Sequence, residues 1–113
     1  MSPPRFRRLC LECGEPFESV SPRAEFCKTG CCKSWNNRRM VRGAELYDLF
    51  MSMRFDRGVA QEMGVWSLLC RMAAGFRDED MQKRQGRASW RSPKTILSRR
   101  PYLRAVVLAG GRR

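Results

Sequence analysis

The sequence predicts a small α+β unit gathered round cysteine side chains, then a mainly helical hairpin, then a basic arm. Three observations carry that expectation. Four of the six cysteines form two close pairs near the start, apolar residues recur at helical spacing through the middle, and charge is segregated along the 113 residues. Net charge is +5 over residues 1–43, −3 over 44–80 and +10 over 81–113. Those shifts set the three expected regions.

The thiols order the first region. Cys10-Leu11-Glu12-Cys13-Gly14 is a C-x2-C knuckle with glycine directly after it, and Cys27-Lys28-Thr29-Gly30-Cys31 is a C-x3-C pair, giving C-x2-C-x13-C-x3-C overall. Four soft anionic ligands at this spacing suit one tetrahedral zinc ion, and Gly14 tolerates the positive φ that a knuckle turn tends to need. Such a zinc would be structural, because four protein thiolates leave no open position for water. A unit this short has too few apolar residues to fold on its own core, and metal binding at roughly 10–16 kcal/mol would supply the stability. The competing reading of the four thiols is a set of disulfide or redox pairs. Cys32 is an alternative to Cys31 as fourth ligand.

Between the pairs, Phe17, Val20 and Phe26 flank Ser21-Pro22, which predicts a short hairpin turning near Ser21-Pro22. From Cys31 to Arg42 the chain has no proline or glycine, which predicts a helix starting near Cys31. Knuckle, hairpin and a helix whose first turn carries the last two ligands make up the treble-clef arrangement. In this the sequence resembles a group of short bacterial and phage zinc fingers, with C-x2-C-G-x-x-F at the knuckle and F-C-S-x-x-C-R at the helix start. The matching residues are Cys10, Cys13, Gly14, Phe17, Phe26, Cys27 and Cys31, followed by Trp35, Asn37, Arg38 and Arg39. The bacterial DNA gyrase inhibitor zinc finger is similar in its two cysteine pairs and following tryptophan, with a slightly longer central spacing. Lys28 stands where that group has serine, and Cys32 where it has arginine or lysine. The resemblance spans residues 8–42. It implies a bacterial or phage origin, and the gyrase-inhibitor likeness implies docking on a partner enzyme.

In the middle region Leu46, Leu49, Phe50 and Met53 fall at i, i+3, i+4 and i+7 between Gly43 and Gly58. Val65, Leu68, Leu69, Met72 and Phe76 repeat the pattern, widened by Val59, Met63, Trp66 and Ala73. An αα-hairpin turning near Asp56-Arg57-Gly58 is expected, with a break allowed at Gly64, which costs about 1 kcal/mol in a helix. Cys70 reads as a buried apolar thiol. Part of the apolar face is left over for a protein partner or a second copy.

From Met81 the apolar density falls and the chain reads as a solvated extension. Pro93 interrupts any helix, and Pro101 to Gly110 suits a short terminal one.

The composition narrows function. Lys and Arg number 23 against 11 acids, 19 of the cations are arginine, and histidine is absent. No imidazole base or histidine metal site is available, and an enzyme would have only Cys32 and Cys70 as spare nucleophiles. No enzyme and no small-molecule substrate is expected. A net charge of +12 points to a polyanion, and arginine grips phosphate bidentately and stacks on bases. An anionic membrane surface would also attract this charge, but the longest apolar run, Ala105 to Ala109, is far short of the roughly 20 residues needed to span a bilayer. No apolar signal region follows Met1, so a cytoplasmic, reducing setting is expected.

Candidate nucleic-acid contacts are Lys33, Arg38, Arg39 and Arg42 on the first helix, then Arg87, Trp90, Arg91, Lys94, Arg99, Arg100 and Arg104 on the arm. Each finger-helix cation reads equally as part of a solvated face. Asn36 and Asn37 read as adenine contacts or as exposed positions, and Trp35 as the plug between helix and hairpin. Trp90 and Tyr102 can stack on unpaired bases. The arm's alternatives are a solubilising tail, or one that docks on the helical hairpin through Trp90, Ile96, Leu97 and Leu103. The expected function is a zinc-binding, nucleic-acid-associated regulator, DNA ahead of RNA, with a partner-docking module as the alternative.

Overall fold

The computed structural model describes residues 5–104. Strands β1 (Phe6–Leu9) and β2 (Pro16–Ser19) pair antiparallel, with Phe6 opposite Ser19 and Leu9 opposite Pro16. The loop joining them is the first cysteine knuckle itself. Gly14 N–H donates to the Cys10 carbonyl at 2.8 Å and Cys10 N–H to the Glu15 carbonyl at 2.9 Å, while Gly14 sits at φ +77°. The hairpin therefore turns at the thiols and not at Ser21-Pro22 as expected. Ser21 and Pro22 instead lie in the loop that carries the chain to Cys27. The result is a two-stranded hairpin followed by a mainly helical chain.

Helix α1 (Thr29–Phe55) runs for 27 residues, straight through the expected boundary at Gly43. One glycine costs a helix only about 1 kcal/mol, and the residues on either side continue a single inward stripe. Cys31, Trp35, Arg38, Arg42, Leu46, Leu49 and Met53 recur every three or four positions, and each is buried or half-buried. Along that stripe the chemistry changes from thiol and indole through guanidinium to aliphatic. One helix thus spans the metal end, a charged junction and the apolar end.

The chain turns at Asp56, where the expected hairpin bend lies. Helix α2 (Arg57–Glu62) is one short segment, and Gly64 at φ +65° then separates it from α3 (Val65–Lys83). A left-handed conformation suits glycine, which explains the break inside an otherwise periodic stretch. Ala60, Val65 and Leu69 are buried against Leu46, Leu49 and Met53 of α1. This core is small, and much of the widened apolar face stays in water. Trp66 is 64% exposed, Met63 74% and Phe55 75%. Cys70, expected in the core, is exposed, because the α3 stripe runs Val65, Leu69, Met72, Phe76, Asp80 and leaves position 70 on the outer side.

Helix α3 ends with Gly86 N–H donating to the Met81 carbonyl at 2.7 Å, and Gln85 and Gly86 both at positive φ. That turn sends the chain back across the cysteine end, where Ser89 is buried at 3% exposure. The expected solvated extension is in part a packed return strap. Helix α4 (Pro93–Arg99) follows, its N-terminus capped by Ser92 Oγ accepting from Thr95 N–H at 3.2 Å. Pro93 starts this helix instead of interrupting one, since proline lacks only an N–H that the first turn would leave unpaired. Residues 105–110 of the expected terminal helix lie outside the described residues. No helix among the described residues is long and apolar enough to cross a membrane.

Candidate metal centre

Hairpin and α1 converge on four thiols. Cys10 and Cys13 come from the knuckle, Cys27 from the loop before α1, and Cys31 from its first turn. Their sulfur atoms all lie within 4.8 Å of one another. Cys13 Sγ to Cys27 Sγ and Cys27 Sγ to Cys31 Sγ are each 3.7 Å. A disulfide would bring sulfurs to about 2.05 Å, whereas metal–sulfur bonds of about 2.3 Å at tetrahedral angles separate them by about 3.8 Å. The spacing is that of a tetrahedral four-thiolate site, and these four cysteines could hold one metal ion.

The electrostatics fit the same use. Burial pushes the Cys10 thiol up, but the backbone amides of Cys13, Cys27 and Glu12, with the Cys13 thiol, outweigh it and bring Cys10 down to about 7. Cys27 N–H lies 3.4 Å from Cys10 Sγ. Burial, reinforced by the neighbouring thiols of Cys27, Cys10 and Cys13, drives Cys31 up to about 12. Desolvation and Cys13 raise Cys27 as well. The backbone prepares the Cys10 thiolate, whereas Cys27 and Cys31 need a cation to give up their protons.

Cys32 stands apart. Its sulfur is 3.4 Å from Asn36 Nδ2, which also donates to the Cys32 carbonyl at 3.0 Å. The helix turns Cys31 inward and Cys32 along the outer side, so the thiol gathered with the other three is that of Cys31. The same contacts engage Asn36 locally.

Behind the thiols lies a junction of charges that the sequence reading missed. Glu12, between the knuckle cysteines, accepts from Arg38 and, at 3.2 Å, from Arg84. Asp80 is buried and receives Arg42 Nη1 at 2.9 Å, with Arg38 Nε at 3.5 Å from its other oxygen. Arg84 is 4% exposed and donates to the Asp80 carbonyl at 2.8 Å. Burial works against the Arg42 charge, and the carboxylates of Asp80 and Glu79 together outweigh it and raise its pKa. The clue available in the sequence was Glu12 itself, an acid inside a knuckle of a basic chain.

Trp35 is buried as expected, at 5% exposure, but the ring it packs on, Phe26 at 5.7 Å, belongs to the loop before α1 and not to the strands of the hairpin. The guanidinium groups of Arg39 and Arg91 lie over its ring, at 4.9 and 4.6 Å from the centroid. Arg91 also makes a two-pronged bond to Glu25, at 2.7 and 2.9 Å, and Arg99 reaches the same carboxylate at 3.0 Å. Arg91 holds the Glu25 carboxyl below the usual range.

These pairings divide the expected nucleic-acid contacts into two groups. Arg38 and Arg42 pair with internal carboxylates because α1 faces the knuckle and the end of α3, and Arg91 and Arg99 pair with Glu25 because the return strap and α4 carry them to it. Lys33, Arg39, Arg87, Lys94, Arg100 and Arg104 have no ion-pair partner among the described residues. Arg39 and Arg100 meet on one groove of about 440 Å³, which Trp90 also lines; the structure does not gather the remaining four with them.

No protein-family model, curated protein or solved structure matches this chain.

Proposed function

We propose that this protein is a zinc-stabilised nucleic-acid-binding protein of treble-clef type that acts on DNA ahead of RNA as a regulator and not as an enzyme. Zinc is the metal because an all-thiolate tetrahedral set favours it over the oxygen-seeking magnesium and calcium ions, and a closed set gives it a structural role. The observation that carries the nucleic-acid reading is the division among the arginines. Four of the expected contacts pair with internal carboxylates, yet Arg39, over the Trp35 ring, and Arg100 have no ion-pair partner among the described residues and lie beside the half-exposed Trp90.

The test is retention of the zinc-loaded full chain on duplex DNA across a salt series. With about six phosphates engaged, log affinity against log salt should have a slope of about −5. Absence of binding at low salt would overturn the reading. A second reading, a module that docks on a partner enzyme, is favoured by one observation, the exposure of Phe55, Met63 and Trp66 at the helical tip. Trp66→Ser would then abolish partner capture without touching DNA retention.

A further inference from the structure

The groove shared by Arg39 and Arg100 has a composition that the phosphate-contact reading does not require. It lies between α1, the C-terminal half of α3 and the return strap with α4. Among the described residues its apolar lining comes from Trp35, Leu46, Ala73, Phe76, Trp90 and Ile96. Arg39 and Arg100 add cations with no ion-pair partner among the described residues, while the other lining arginines are paired, Arg77 with Asp78, Arg91 with Glu25, and Arg38 and Arg42 with the one lining carboxylate, Asp80. At about 440 Å³ it falls in the range of about 300–1,000 Å³ typical of sites for small ligands. An apolar, aromatic cleft with unneutralised guanidinium groups matches one ligand chemistry in particular, a flat ring carrying a phosphate.

We propose that this groove accepts one unpaired nucleotide of a single-stranded nucleic acid, its base against Trp90 and its phosphate between Arg39 and Arg100. The proposal rests on the nucleic-acid reading and deepens it from charge attraction to strand selection. A base in a duplex would have to leave its stack to enter, at a cost of a few kcal/mol, whereas an unpaired base enters without that penalty. Trp90 is half exposed in the free protein, so its ring is accessible without rearrangement. The bottom of the groove is fixed by the Trp35 bond to Ser89 and by the Arg42 pair with Asp80, which makes the site preformed.

The experiment compares the zinc-loaded full chain against a fluorescent single-stranded DNA and the same sequence as a duplex, at one salt concentration. Single strand should bind about tenfold or more tightly than duplex. Trp90→Ala should remove that preference while leaving duplex retention in place, since stacking on one aromatic side chain accounts for a factor of this size. Ala73→Leu, at an exposed helix position that tolerates leucine, should fill the groove and remove the preference in the same way. Lys94→Gln, outside the groove, should weaken both probes by one common factor. Equal binding of the two probes, or a preference that survives both groove substitutions, would overturn the proposal while leaving DNA binding intact. Binding to neither probe would overturn the nucleic-acid reading itself, and this proposal with it.

Discussion

The indole N–H of Trp35 donates to the backbone carbonyl of Ser89 at 2.7 Å, across 54 positions of sequence. Ser89 Oγ in turn donates to the Leu11 carbonyl at 2.7 Å and receives Arg38 Nη2 at 2.8 Å. One buried serine therefore ties the knuckle, the long helix and the return strap together. Trp35→Phe should keep the ring packing but leave the Ser89 carbonyl unpaired, lowering stability by about 1–3 kcal/mol. Trp35→Ala should cost about 3–5 kcal/mol. Urea unfolding of the metal-loaded protein gives both values.

The placement of the thiols separates two adjacent cysteines. Cys27→Ser should lose the metal and the folded N-terminal unit together, because structural thiolate sites supply folding energy outright. Cys32→Ser should retain about one metal per chain by elemental analysis, its thiol lying against Asn36 outside the cluster. Equal metal loss in the two variants would contradict the geometry.

Metal affinity should depend on pH with a definite sign. Cys31 and Cys27 are held protonated through the neutral range and must release protons to bind, so lowering the pH favours the metal-free thiols. The protons of these two thiols alone make affinity fall at least about 100-fold per pH unit. Below about 7 the Cys10 thiolate also protonates and the dependence steepens. Competition with a chelator across pH 6–8, with proton release counted in parallel, checks both the slope and the number of protons.

Asp80 faces Arg38, Arg42 and Arg84 from the end of α3, with its side chain only 6% exposed. Asp80→Asn would leave those cations without their shared counter-charge, and a loss of about 3–5 kcal/mol is expected. Glu79→Gln touches only Arg42, from a half-exposed position, and should cost no more than about 1 kcal/mol. A thermal-melting comparison of the two variants separates the buried pair from the surface one.

Cysteine spacing makes the thiol cluster legible, and apolar periodicity with its bounding glycines makes the bend at Asp56 and the break at Gly64 legible. These features depend on residues close in sequence or on a strict ligand geometry. Ser21-Pro22 is a stronger local turn signal than a knuckle, so the sequence points the hairpin there, although the knuckle already reverses the chain. At Ser92-Pro93 the proline alone suggests an interruption, whereas serine before proline is a cap followed by a first-turn residue. The pairs Glu12 with Arg84 and Glu25 with Arg91 were out of reach, since they join positions 72 and 66 residues apart. No periodicity encodes such contacts, and without them the arm's arginines looked uniformly available.

The return strap has a consequence for how this protein can be divided. An isolated fragment ending near residue 43 would keep every metal ligand and the Arg38–Glu12 pair, but it would lose Arg84 from Glu12, Arg91 and Arg99 from Glu25, and the Ser89 carbonyl from Trp35. Conversely, the C-terminal part alone would carry Arg84 and Ser89 with nothing to bury them. The four-cysteine unit is therefore not a portable cassette that can be grafted onto another protein with its properties intact. It is the first half of a clasp whose second half is written some fifty residues further on.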